Sequence, residues 1–314
     1  MSSRPITPAD ATLPESVAAQ SHQKLQRLIQ GVSQIIVGKE EVIRLAVACL
    51  LARGHLLFED QPGVGKTLLS QALAQALGLQ FRRVQFTSDL LPADILGASI
   101  FDREAGSFVF HPGPVFTQVL LADEINRATP KTQSALLEAM EEGKVTSDGI
   151  THALPQPFFV IATQNPSSQI GTFMLPESQL DRFLMRLALG VPDRAAERSI
   201  LQGQDRREML RAMPVVLSWP EMQEMQASVK QVHVSGPLLD YLQDLLSASR
   251  ADGRGLSPRG GLALLNAARA WALLQGRTMV LPEDVQDVGV AVMAHRLEGD
   301  GGTAMRLLEE TVIP

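Results

Sequence analysis

Residues 58–78 read FEDQPGVGKTLLSQALAQALG. The apolar run ending at Glu59 predicts a strand, the Leu-, Ala- and Gln-rich run from Lys66 predicts a helix, and a glycine-containing loop joins them. That arrangement is a phosphate-binding loop. Backbone N–H groups of Gly63, Val64, Gly65, Lys66 and Thr67, together with the positive end of a helix that continues through Leu68, can surround the β-phosphate of a nucleotide. The Lys66 ammonium reaches the β- and γ-phosphates, and the Thr67 hydroxyl can ligate Mg²⁺. The general pattern G-x-x-x-x-G-K-[ST] places glycine where this chain has Asp60. A strand before the loop, a helix after it and a second matching element downstream outweigh that departure.

The second element is QVLLADEINRA, residues 118–128. An apolar strand ends in two adjacent carboxylates, so Asp123 emerges at the carboxyl edge of a sheet, where α/β folds bind ligands. Asp123 is placed to bind Mg²⁺ directly or through water, and Glu124 to polarise a water for attack on a γ-phosphate. The competing reading is a helix start that favours acidic residues.

Around these two motifs the chain alternates strand and helix signals from about residue 21 to 191. The strands are expected at His55 to Glu59, Phe81 to Phe86, Gln118 to Ala122, Phe158 to Thr163 and Leu184 to Val191, which predicts a parallel five-stranded α/β sheet. Past Pro192 the strand signals stop. Helices are expected over Arg194 to Arg211, Pro220 to Lys230, Pro237 to Arg250, Pro258 to Gly276 and Pro282 to His295, several opened by proline. The expected organisation is therefore a disordered tail (1–20), an α/β core (21–192) and an all-helical domain (193–314). Two hairpins interrupt the core. One carries the strong turn signal Asp148-Gly149 within Lys144 to Ala153, and the other pairs Ser99 to Asp102 with Ser107 to Phe110 around Gly106.

The 314 residues carry 28 Lys and Arg against 34 Asp and Glu, a net charge of −6. This acidic balance gives no general electrostatic reason to bind nucleic acid or an anionic membrane. The single cysteine, Cys49, lies in an apolar run and reads as a core thiol, so no internal disulfide can form. No apolar run reaches the length of a membrane span and the amino terminus has no signal-peptide core, which makes the expectation a cytoplasmic protein.

Taken together, residues 56–67, 84–97, 120–146, 162–187 and 255–274 resemble, in that order, the MoxR branch of the AAA+ ATPases. Asp60 is the residue that this branch has at that position. Ile170 and Met174 stand where it tends to have Glu and Pro, in a loop away from the phosphate site. The resemblance implies a P-loop NTPase core with a helical lid, binding ATP and Mg²⁺ between the subunits of a ring, a hexamer by kinship. It implies that Asn165 acts as sensor 1 beside the attacking water, where the plain reading is a cap before Pro166. It makes Arg259 the sensor 2 arginine, at a helix start where a cation otherwise opposes the dipole. Arg182 resembles an arginine finger acting on a neighbour's ATP, with a local salt bridge to Asp181 or Glu177 as the alternative. Arg127 is a further candidate contact between subunits. The hairpins resemble the helix-2 and pre-sensor 1 inserts, with Phe108 and Phe110 either presented there or simply packed. A protein client, remodelled in complex maturation or metal cofactor insertion, and a partner with a von Willebrand factor A domain are likewise implied by kinship. The alternatives are a magnesium-chelatase-like motor subunit, a nucleic-acid motor, which the acidic balance disfavours, and a small-molecule kinase, which would have no use for Glu124, Asn165, Arg182 and Arg259 together.

Overall fold

The computed structural model describes residues 13–104, 106–165, 171–203, 205–251, 255–297 and 301–313. The chain opens with α1 (Glu15–Ile35) and α2 (Glu40–Leu51). Helix α1 begins inside the stretch expected to be a tail. Its Ser, Ala and Gln residues hide a stripe in which Ala18, Leu25, Leu28, Ile29 and Val32 are wholly buried, and such a stripe at helical spacing stabilises a helix whose composition alone looks like a linker. Residues 1–12 of the expected tail lie outside the described residues.

There follow β1 (His55–Glu59), α3 (Lys66–Ala76), β2 (Phe81–Gln85), α4 (Pro92–Leu96), β3 (Gly97–Asp102), β4 (Ser107–Pro112), β5 (Val119–Asp123), α5 (Pro130–Glu142), β6 (Lys144–Ser147), β7 (Ile150–Ala153), β8 (Phe159–Gln164), α6 (Glu177–Leu180) and β9 (Phe183–Leu187). Five of these strands form one sheet in the order β2-β5-β8-β1-β9, every neighbouring pair parallel. Strands β5 and β8 are central, and every residue of β5 is buried. A strand covered on both faces has no need of polar alternation, which is why VLLA reads as an unbroken apolar run. Leu120, Ala122, Val160 and Ala162 join Phe86, Ile95, Leu136 and Leu137 in the core. At the start of β1, His55 accepts the Val160 N–H on Nδ1 at 3.0 Å, and burial lowers its pKa to about 4. The imidazole is accordingly neutral at pH 7 and serves as a core acceptor.

Both expected hairpins form. In β6–β7, Ser147 pairs with Ile150, and the two turn residues Asp148 and Gly149 have φ of 50° and 78°, the doubly left-handed turn that matches strand twist. In β3–β4, Asp102 pairs with Ser107. Phe108 is 72% exposed, whereas Phe110 stacks on His152 of the other hairpin with ring centroids 3.9 Å apart. Presentation suits the first phenylalanine and packing the second.

The remaining elements are helical: α7 (Arg194–Gln202), α8 (Arg206–Ala212), α9 (Trp219–Val229), α10 (Gly236–Ser249), α11 (Pro258–Leu274), α12 (Pro282–Met293) and α13 (Gly302–Glu310). The single helix expected over Arg194 to Arg211 is two, because Gly203 leaves the helical region at φ −90°, ψ 179° and Asp205 caps a new start by accepting the Arg207 N–H. The chain divides into two compact units. One comprises Gly31–Ile43 and Gly54–Val216; the other comprises residues up to Gln30, Arg44–Arg53 and those from Leu217 onward. The boundary thus falls at Val216 and not at Pro192, since α7 and α8 belong with the sheet. In the second unit α11 buries ten of its 17 residues, and its Trp271 donates from Nε1 to Asp287 at 2.7 Å. Among the described residues no helix is long and apolar enough to cross a membrane.

Candidate nucleotide site

The loop after β1 turns twice through left-handed backbone, at Gly63 (φ 88°) and Gly65 (φ 102°), and α3 begins at the next residue. Side chains with a Cβ adopt those values at a cost, so the two glycines let the chain reverse and present its N–H groups to one side. Lys66 is buried, and its Nζ donates to the carbonyls of Asp60 at 2.6 Å and Gln61 at 3.0 Å. Burial lowers its pKa, while the charges of Asp60, Asp123 and Glu124 act to raise it. The Asp60 carboxylate accepts the Gly190 N–H at 2.6 Å, tying the loop to the segment after β9. Asp60 therefore does a structural task that glycine could not.

At the end of β5 the two carboxylates diverge. Asp123 continues the strand. Glu124 sits at φ 57°, ψ 48°, a left-handed conformation that costs a non-glycine residue about 1 kcal/mol or more. The neighbouring strand holds it there, because the Thr163 hydroxyl of β8 accepts the Glu124 N–H at 2.8 Å and donates its own proton to Asp123 Oδ1 at 2.6 Å. One threonine fixes both acids. The reversal aims the Glu124 carboxylate at three partners: Asn165 Nδ2 donates to Oε1 at 3.1 Å, Gln85 Nε2 donates to Oε2 at 2.8 Å, and Arg127 lies 3.2 Å from Oε2. Asn165, expected from the sequence as a neighbour of the attacking water, is thus a hydrogen-bond partner of Glu124.

Gly63, Gly65, Lys66, Thr67, Leu68, Asp123, Glu124 and Asn165 line one cavity of about 920 Å³, a size suited to a nucleotide. Val64, half-buried in the same loop, is not part of the lining. Three residues at this site went unremarked in the sequence: Arg83 and Gln85 on β2, and Thr163 on β8. Arg206, Arg207 and Arg211 of α8 also line the cavity. Arg182 lies elsewhere. Its Nη1 is 2.5 Å from Glu141 and donates to the Leu137 carbonyl at 2.8 Å, both on α5. The acid against Arg182 here is Glu141, a partner beyond the Asp181 and Glu177 considered from sequence. Arg259 stands in the first turn of α11, in the other compact unit. Of the two loop departures, Ile170 lies outside the described residues and Met174 is 66% exposed.

Residues 55–185 match the model of the ATPase family associated with various cellular activities (AAA), and residues 248–311 match an AAA lid domain. The chain is 39% identical over 295 residues to the chaperone MoxR1 of Mycobacterium tuberculosis, covering 90% of this chain and 78% of that protein. The chain belongs to the MoxR family of AAA+ ATPases. It is also 43% identical over 279 residues to the protein YeaC of Bacillus subtilis, covering 88% and 87% of the two chains. A solved structure from Cytophaga hutchinsonii, described as a candidate ATPase, superposes with a TM-score of 0.85 at 32% identity over 95% of this chain and 97% of that one. The MoxR fold expected from the motifs, a parallel five-stranded core followed by a helical lid, is the fold found.

Proposed function

We propose that this MoxR protein hydrolyses Mg-ATP in the cavity formed by the phosphate loop and the ends of β5 and β8. The observation that carries this is Glu124. Its backbone is held in a strained left-handed conformation by Thr163 and its carboxylate is positioned by Asn165 and Gln85, and a protein that only bound nucleotide would gain nothing from that arrangement.

The residues present suit magnesium. They offer one carboxylate, Asp123, and one hydroxyl, Thr67, in the same cavity as Lys66, and a hard dication that keeps most of its waters and takes further oxygens from substrate phosphates needs few protein ligands. When bound, magnesium neutralises charge on the β- and γ-phosphate oxygens. The chain's own residues supply the rest. Loop N–H groups hold the β-phosphate, Lys66 leaves the Asp60 and Gln61 carbonyls for the phosphate oxygens, and Glu124 takes a proton from the attacking water while Asn165 orients it. By family resemblance Arg259 contributes from the lid and Arg182 from an adjacent subunit.

A site shared between subunits implies a ring, which kinship makes a hexamer. The same kinship supports a cytoplasmic, chaperone-like remodeller of a protein client, with a von Willebrand factor A domain protein as partner; the description of MoxR1 as a chaperone supports the chaperone-like role. ATP that contacts two subunits favours their association by mass action. Sedimentation should therefore show larger particles with Mg-ATP than without nucleotide, read on Glu124→Gln protein so that ATP persists. A monomer in both conditions across the accessible concentration range would rule out the ring.

A further inference from the structure

Asp123 has both carboxylate oxygens engaged within its own chain. Oδ1 accepts the Thr163 hydroxyl at 2.6 Å, and Oδ2 accepts two N–H groups of Arg83, from Nη2 at 2.6 Å and Nε at 3.0 Å. The register explains the reach. Strand β2 pairs in parallel with β5, setting Gln85 opposite Asp123 and Arg83 two residues earlier on the same face. Arg83 Nη2 also donates to Gln85 Oε1 at 3.0 Å. The guanidinium is thus clamped between the acid and the glutamine that holds Glu124. Because β2 is an edge strand, the Arg83 side chain is 49% exposed, against 11% for Asp123. It has room to leave, and the aspartate does not.

We propose that Arg83 is a positioning residue that competes with the metal for Asp123. Two-point N–H donation fills both lone-pair sites of Oδ2 and Thr163 fills one of Oδ1, so one of the carboxylate's roughly four sites is left for a magnesium ion or a water bound to it until Arg83 moves. A permanently charged guanidinium at that place also repels a dication. Arg83 holds Asp123 aligned and charge-balanced, and the metal enters as Arg83 swings off Oδ2 toward solvent. The inference rests on the Mg-ATP reading of the cavity.

The test uses Mn²⁺ as the metal and a non-hydrolysable ATP analogue as the nucleotide, with free Mn²⁺ read by electron paramagnetic resonance. Three full-length proteins are compared: the parent, Arg83→Met and Arg83→Lys. The lysine variant keeps the charge and loses the two-point grip. A half-exposed pair is worth little, so both variants should bind Mn²⁺ about 3- to 10-fold more tightly in the nucleotide complex, read with each protein saturated by the analogue, and with a thermal midpoint close to the parent's. Tightening in Arg83→Met alone would overturn competition for the oxygen and leave only charge repulsion. Weaker or unchanged Mn²⁺ binding in both variants would overturn the proposal as well. Absence of nucleotide-dependent Mn²⁺ binding in the parent would overturn it together with the Mg-ATP reading, which distinguishes the two failures.

Discussion

Glu124→Gln should bind Mg-ATP about as well as the parent and lose roughly 10²- to 10⁴-fold in turnover, the usual worth of a general base. The amide keeps the shape of the carboxylate and its one oxygen can still accept from Asn165 or Gln85, but it cannot take the proton of the attacking water. Lys66→Ala should fail at the earlier step. Its ammonium is buried within the loop, held by the Asp60 and Gln61 carbonyls, and without it the β- and γ-phosphates meet no mobile cation there. Fluorescent-nucleotide titration beside a turnover assay separates the two. Equal loss of affinity in both variants would contradict the division of roles.

Mixing Lys66→Ala with Arg182→Ala protein should restore hydrolysis above the sum of the separate samples. The first variant lacks a working phosphate loop and keeps Arg182; the second binds ATP and offers its neighbour no guanidinium. After subunit exchange some interfaces unite an intact loop with an intact arginine, and an arginine finger contributes about 10³-fold or more in rate. Pairing of Arg182 with Glu141 does not oppose this, because the partially exposed pair is worth about 1 kcal/mol or less and can open when an interface forms. Glu141→Gln protein should then keep its turnover. Strictly additive activity with confirmed exchange, or a loss of stability confined to Arg182→Ala, would make Arg182 a local strut of α5.

What the sequence made legible was local. The phosphate loop is a strand, two left-handed glycines and a helix within a score of residues, Asp148-Gly149 encodes its own turn, and the acids at the end of β5 follow an apolar run too continuous to be anything but a buried strand. Arg83, Gln85 and Thr163 were hidden because their partners Asp123 and Glu124 lie far along the chain and come alongside only once β2, β5 and β8 are ordered as neighbours. In sequence Arg82-Arg83 looks like a solvated edge. The same reason hid Glu141 as the partner of Arg182. Helix α1 was masked by its polar composition, and the unit boundary at Val216 by the end of strand signals at Pro192, which marks where the sheet stops and not where the compact unit that contains it does.

Phosphate release from ATP, with no second substrate and no nucleic acid present, tests the central claim most directly. The account predicts inorganic phosphate and ADP in equal amounts, turnover abolished by EDTA and restored by Mg²⁺, and turnover lower by about 10²-fold or more in Glu124→Gln. Absence of phosphate release from assembled parent protein, or release undiminished in Glu124→Gln, would contradict it.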